Sequence, residues 1–400
     1  MRKFLLFLCL PAFAQVLSAQ VVFDYVTGEP GSRAYIRLPK GAPEVRAVLY
    51  CHQNMTEEVL FRSASFCREM DRLGVAMAFV QRGSQNWDPA TDCQPRFEAL
   101  MEDFARGTGH PEIASAPVIP FGHSAQATFP WNFAAWNPDR TLCIISYHGD
   151  APRTNLCGYG RANVEWGRTR NIDKIPGLMV MGEYEWWEAR LLPALAFRMM
   201  YPDSRISFLC DAGRGHFDLC PETQDYIAKF IEKALKDPRP ESGVYCSRWY
   251  EDGSETADPH EQFWYQDEEM ARLTRERYAA VRGKRMQYLS ARVNGEMLVY
   301  DPDKHIKMNA TVQGDTFTVE PVFVDETRNA LGDVHAPVRP RVVLISGPAI
   351  QTGEYTFRID PDYFGTDPER LWSGITLCVE ADGDTTYKPA VQELNLQVRK

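Results

Sequence analysis

Past its first twenty residues, this sequence has no stretch apolar enough to cross a bilayer, which excludes a membrane span there. It has no Cys-x-x-Cys or His-Glu-x-x-His spacing, so nothing marks a dedicated metal site, and no cofactor is called for. Basic residues are in deficit. The 44 Lys and Arg stand against 54 Asp and Glu, and the net charge of −10 repels phosphate backbones, arguing against nucleic acid as a partner. Low-complexity tracts and internal repeats are absent too. Cysteine is sparse and unevenly placed. Of ten, Cys9 lies in the leader-like N-terminus, and the odd number left forbids complete internal pairing. Cys51, Cys143 and Cys210 sit in apolar runs as free buried thiols would. Cys210 and Cys220 bracket a Gly-His segment and are a candidate bridge.

What is present begins with "MRKFLLFLCLPAFAQVLSAQ". A basic start (Arg2, Lys3), a short apolar run and small residues at Ala14 and Ala19 have the layout of a cleavable secretory signal, residues 1–19. The expected location is therefore secreted or periplasmic. The 400 residues, 44% of them hydrophobic, can bury a large core and suggest two or three domains.

From about Val45 to Leu235, apolar runs alternate with helix-like stretches. "VRAVLYC", "VAMAFVQ", "APVIPFG", "LCIISYH", "GLMVMG" and "ISFLC" read as strands buried on both faces. Between them "EEVLFRSASFCREMDRLG", "PRFEALMEDFARGTG" and "WEARLLPALAFRMMYP" have helical spacing, so the expectation is an α/β domain with a mostly parallel sheet over residues 20–242. The Pro-rich "DPRPESG" closes its last helix, and a linker with one helix (about Gln266–Arg282) fills 243–284. Residues 285–400 carry short strand-like pieces between turn signals and read as an antiparallel β-sandwich. It is expected to serve docking, reach or stability rather than chemistry.

Active sites of open α/β sheets lie beyond the carboxyl ends of the strands. The polar residues found there are His52, Gln53 and Asn54; His123 and Ser124; His148 and Asp150; Glu183 and Glu185; and Asp211 through His216. A hydroxyl needs a base within reach, itself oriented by an acid, and Ser124, Glu185 and His216 follow one another in the order serine, acid, histidine. Gly122-His123-Ser124-Ala125-Gln126 between a strand and a helix resembles the nucleophile elbow, Gly-x-Ser-x-Gly, of the α/β-hydrolase family. The resemblance covers about residues 45–235. It implies Ser124 as nucleophile, His216 as general base, and an acid at Glu185, counted from Gly182 by the family's Gly-x-x-Asp/Glu spacing, with Glu183 as the alternative acid. It also implies oxyanion donors at the N–H of Ala125 and of Asn54 or Gln53.

Gln126 replaces the last glycine of that pattern, Pro117 and Pro120 lie in the central strand, and Pro130 falls early in the next helix. Three strand-end histidines, His52, His123 and His148, form an alternative metal set. Otherwise His123 and His148 line the pocket, with Trp87 and Trp186 near its edge. Arg153, Arg161 and Arg168 are available to an acidic substrate group. The expected activity is a serine hydrolase acting on a small-molecule or polysaccharide ester, acetyl or feruloyl, by association of an exported hydrolase with a sandwich. The alternatives are a peptidase or lipase on the same scaffold, or a carbohydrate-binding protein with an inactive core.

Overall fold

A computed structural model describes residues 22–26, 33–81, 87–154, 164–185, 187–211, 213–250, 252–298, 308–324, 338–360 and 374–399. The leader-like segment, Trp186 and Arg161 lie outside them. No described helix is long and apolar enough to cross a membrane.

Two strands that the periodicity did not reveal open the described chain: β1 (Val22–Val26) and β2 (Arg33–Arg37). The expected alternation then follows. In order come β3 (Ala47–His52), α1 (Met55–Arg62), α2 (Ala64–Leu73), β4 (Val75–Val80), α3 (Cys93–Thr108) and β5 (Val118–His123). After these come α4 (Phe129–Trp136), β6 (Ile144–Tyr147), β7 (Pro176–Gly182), α5 (Trp187–Met200), β8 (Arg205–Asp211) and α6 (Pro221–Lys236). They build one eight-stranded sheet in the order β1-β2-β4-β3-β5-β6-β7-β8. The β1–β2 and β2–β4 pairings are antiparallel, and every pairing from β4 to β8 is parallel.

Burial on both faces explains the unbroken apolar runs. In β3, Val48 and Tyr50 enter a cluster with Phe97, Phe104, Phe129 and Phe133, whereas Leu49 and Cys51 enter the opposite one with Phe66, Met70, Ile227 and Phe230. The stretch "EEVLFRSASFCREMDRLG" is two helices rather than one. Ser63 divides it, its hydroxyl accepting the Phe66 N–H at 3.4 Å to cap α2.

Beyond α6, β9 (Val244–Ser247) and β10 (Gln262–Tyr265) form a small hairpin, and α7 (Glu268–Ala279) is the helix expected in the linker. The C-terminal strands are β11 (Tyr288–Val293), β12 (Glu296–Leu298), β13 (Met308–Gln313), β14 (Thr316–Val324) and β15 (Arg341–Ser346). They continue with β16 (Ala349–Gln351), β17 (Thr356–Ile359), β18 (Gly374–Ala381) and β19 (Ala390–Arg399). Sheets β12-β11-β14-β17-β16 and β13-β19-β18-β15 enclose Leu289, Phe317, Val319, Phe357, Leu377 and Leu394 as a sandwich. Its pairings are antiparallel except that of β13 with β19, which is parallel.

The sandwich does not stand apart. Ile345, Cys378 and Val391 are buried in the core cluster of the α/β part. The Arg62 guanidinium donates to Gly374 O at 2.7 Å.

Candidate active site

The elbow follows from steric necessity at one glycine. A Cβ on Gly122 would lie 2.0 Å from Gln126 O and 3.1 Å from Pro130 Cδ, so the turn closes only with no side chain there. Ser124, at φ 53°, occupies the left-handed region that non-glycine residues rarely adopt, which lifts its hydroxyl off the end of β5. Gln126 is tolerated because the chain enters a 3-10 turn, Ser124–Gln126, and α4 begins only at Phe129. Pro130 sits in the first turn of α4, where no intrahelical N–H is needed. Pro120 pairs in register with Tyr50, and the ladder to β6 starts one residue beyond it at Phe121.

Ser124 Oγ lies 2.7 Å from His216 Nε2, and His216 Nδ1 lies 2.6 Å from Glu185 Oε2. The other carboxylate oxygen, Oε1, accepts the Gly182 N–H at 2.6 Å and stands 2.5 Å from His148 Nδ1. All four side chains are buried or nearly so. Burial alone would raise the Glu185 carboxyl, yet charge and hydrogen bonds from His148 and His216 hold it well below the usual carboxylate range. This carboxylate stays ionised and fixes His216 with its Nε2 toward the serine.

The remaining candidates have definite places. Glu183 is engaged elsewhere: its Oε2 accepts the Gly213 N–H at 3.0 Å and its Oε1 pairs with Lys388. Ala125 is the second residue of the 3-10 turn, and Asn54 immediately precedes α1 with its Nδ2 donating to His123 O at 2.7 Å. Gln53 is corrected as a donor, because its N–H is given to Val80 O at 2.8 Å. His123 is fully buried rather than pocket-lining; its Nε2 bonds to His216 O at 2.9 Å and its N–H donates to Glu57 Oε1 at 2.6 Å. His148 is likewise at 0% exposure, with its Nδ1 facing the Glu185 carboxylate and its ring 4.0 Å from that of Tyr147.

Among the described tryptophans, Trp87 is in the core rather than at the pocket edge the sequence suggested. Trp87 packs edge-on against Phe97 and Phe133 at 5.6 and 4.8 Å between centroids, and Trp131 and Trp166 are buried as well. These large apolar rings serve the core before any ligand. Arg153 is spent on structure: it donates to Tyr201 Oη and Gly167 O and lies over the rings of Trp166 and Tyr201. His52 turns away from the other strand-end histidines, its ring 4.3 Å from Phe129 and its Nε2 3.4 Å from Tyr50 Oη. Among the described residues, the ligand atoms that cluster within 4.8 Å are those of His148, Glu185 and His216, and a cation there would take the nitrogen and oxygen that hold the His216 ring. Cys210 and Cys220 are free; the Cys220 sulfur receives the Arg214 guanidinium at 2.8 and 3.2 Å.

Sequence reasoning missed the groups behind the histidine loop. Asp218 Oδ2 accepts the Gly215 N–H and its Oδ1 the Glu393 N–H of β19, each at 2.7 Å. Arg214 meets Asp211 at 3.3 Å and Glu222 at 2.8 Å, while Arg277 of α7 also reaches Asp211. Asp211 and Arg214 fell in the strand-end set and Asp218 lies two residues from His216, but nothing local pointed to Glu222, Arg277 or Glu393.

No known protein-family profile and no curated protein matches the sequence. Among solved structures, the chain is similar to Est1E from Butyrivibrio proteoclasticus at 16% identity and TM-score 0.37, over 54% of this chain and 99% of that one. It is similar to the S-formylglutathione hydrolase FrmB from Staphylococcus aureus at 11% identity and TM-score 0.38, over 55% and 98%. A third, Methylesterase BT1017, matches at 11% identity and TM-score 0.35, over 51% of this chain and 52% of that one. The strand order, the parallel run from β4 to β8 and the elbow after β5 give this chain the α/β-hydrolase fold, with a β-sandwich at its C-terminal end.

Proposed function

We propose that the protein is a serine hydrolase of carboxylic esters, working through an acyl-enzyme on Ser124. The observation that carries this is the continuous chain Ser124 Oγ–His216 Nε2, His216 Nδ1–Glu185 Oε2, at 2.7 and 2.6 Å. Ser124 Oγ attacks the ester carbonyl while His216 Nε2 takes its proton. Glu185 stabilises the imidazolium so formed without accepting the proton. The tetrahedral oxyanion is met by the N–H of Ala125 and that of Asn54. His216 then returns the proton to the leaving alcohol, and water, deprotonated by the same nitrogen, releases the acid.

The substrate class we propose is a carbohydrate ester, acetyl or feruloyl, met outside the cytoplasm. Its support is the signal-like N-terminus and the sandwich joined to the catalytic part; Trp87, packed in the core, adds nothing to it. The full chain should hydrolyse a nitrophenyl acetate and take up a fluorophosphonate at Ser124, with a panel of acetyl-sugar and feruloyl esters setting the preference. Ser124→Ala should lower turnover by about 10⁴-fold or more and abolish labelling. Undiminished hydrolysis in that variant overturns the proposal.

A further inference from the structure

Two short segments deliver the acid and the base: the turn 182–185 after β7 and the loop 211–220 after β8. Their mutual position is set by main-chain bonds, Glu183 N–H to Asp211 O at 3.0 Å and Tyr184 N–H to Arg214 O at 2.9 Å. One side chain staples them as well. The Glu183 carboxylate, two residues before Glu185, accepts the N–H of Gly213, three residues before His216. It is buried, and burying a carboxylate without a counter-charge is costly. What pairs with it and holds it in place is Lys388 Nζ, itself buried, on the segment that leads into β19 of the sandwich.

The same strand grips the loop at further points. Val391 N–H donates to Gly213 O at 3.3 Å, and Glu393 N–H to Asp218 Oδ1 at 2.7 Å. A Cβ on Gly213 would lie 2.0 Å from Pro389 O, so the contact is too close for any side chain at that position. From β18, Cys378 Sγ donates to Leu219 O at 3.0 Å. A sandwich that only carried the enzyme to its substrate would have no need to bury a lysine against the catalytic turn.

We infer that the sandwich is a working part of the active site, and that Lys388 is a positioning residue which, through Glu183, holds the Glu185 turn and the His216 loop in register. This rests on the hydrolase reading for its kinetic consequence, while the geometry it concerns can be observed without substrate. The short His216–Glu185 hydrogen bond of 2.6 Å should give a far-downfield imidazole proton resonance, assigned by its loss in Glu185→Gln.

The experiment uses the full chain. Lys388→Met should lower kcat on a nitrophenyl ester by about a hundredfold, as a small misplacement of catalytic groups does, with KM changed less than about twofold. The downfield resonance should broaden or vanish, and Lys388→Arg, which keeps the charge, should restore most of the rate. If Lys388→Met does not fold, the doubly neutral Glu183→Gln, Lys388→Met variant leaves no uncompensated buried charge and should fold with kcat still lowered about tenfold. A folded variant of either kind with wild-type kcat and an unchanged resonance overturns the inference. A wild-type protein that hydrolyses no ester and takes no fluorophosphonate defeats the hydrolase reading instead, and the resonance comparison then decides on Lys388 alone.

Discussion

His148 Nδ1 stands 2.5 Å from Glu185 Oε1, on the carboxylate oxygen opposite the one that His216 holds. Glu185 is thus gripped by two imidazoles, and His148 reaches it from a left-handed backbone, φ 49°, with its N–H donated to Val180 O at 2.7 Å. Such a conformation costs about 1–3 kcal/mol and persists only where the surroundings fix it. His148→Ala should therefore lower turnover while leaving the serine and its base in place. It should also raise the Glu185 carboxyl, since a contribution that holds it down is lost. A carboxylate held low contributes stability that is full above the ordinary range near 4 and is lost as pH falls through its folded value. The stability gap between wild type and His148→Ala should thus be widest near neutrality and close on acidification, in urea unfolding followed from pH 8 downward. A gap that is constant with pH refutes the assignment.

Gly122 offers a test that touches no reacting atom. Its absent Cβ would overlap the Gln126 carbonyl at 2.0 Å, a backbone atom that no rotamer change can move aside. Gly122→Ala should cost about 3 kcal/mol or more of stability, and any folded fraction should be poorly active because the elbow must open. Thermal unfolding beside active-site titration with a fluorophosphonate measures both. A stable, fully titratable Gly122→Ala protein would mean that the turn is looser than this geometry.

The parallel sheet was legible because its strands are buried on both faces: runs such as "VAMAFV" leave no polar alternation to confuse with a helix. Ser124, Glu185 and His216 were legible because each stands just past such a run. β19 was not, since Gln392 and Glu393 are polar yet fully buried, Gln392 Oε1 taking the Leu289 N–H at 3.1 Å across the sandwich. Polar residues that owe their burial to distant partners have no local signature. For the same reason Lys388, 205 residues from Glu183, could not be joined to the catalytic turn by any spacing rule. Trp87 misled in the opposite sense: an aromatic near a strand end packs a core far more readily than it rims a cleft.

Asp218 should leave a mark on the pH dependence of folding. Burial pushes its carboxyl up to about 7, repulsion from Glu393 adding to this and the N–H groups of Gly215 and Glu393 opposing it. Here the sign is reversed relative to Glu185. A carboxyl raised in the folded state favours folding while protonated, and that contribution is lost as pH climbs from about 4 to about 7. Asp218→Asn cannot ionise, so its stability should lack this decline across the window while its rate keeps the triad's pH profile. Parallel stability curves for the two proteins between pH 4 and 7 count against a raised Asp218.

The two glutamates of the turn should part company by phenotype. Glu185→Gln keeps the shape of the acid but removes the charge that stabilises the imidazolium and selects its tautomer, so kcat should fall by about 10⁴-fold with little loss of folding stability. Glu183→Gln can still accept the Gly213 N–H, yet it leaves the Lys388 ammonium buried without its counter-charge. Breaking a buried pair from one side costs about 3–5 kcal/mol, so this variant should be recognised first by its unfolding midpoint. Its turnover should drop far less than that of Glu185→Gln, because both partners of the His216–Glu185 bond are still present even if less well held. Urea unfolding and steady-state kinetics on one nitrophenyl ester, run on both proteins, separate the roles. A crippled but stable Glu183→Gln beside an active Glu185→Gln would move the acid to Glu183 and undo the triad as assigned.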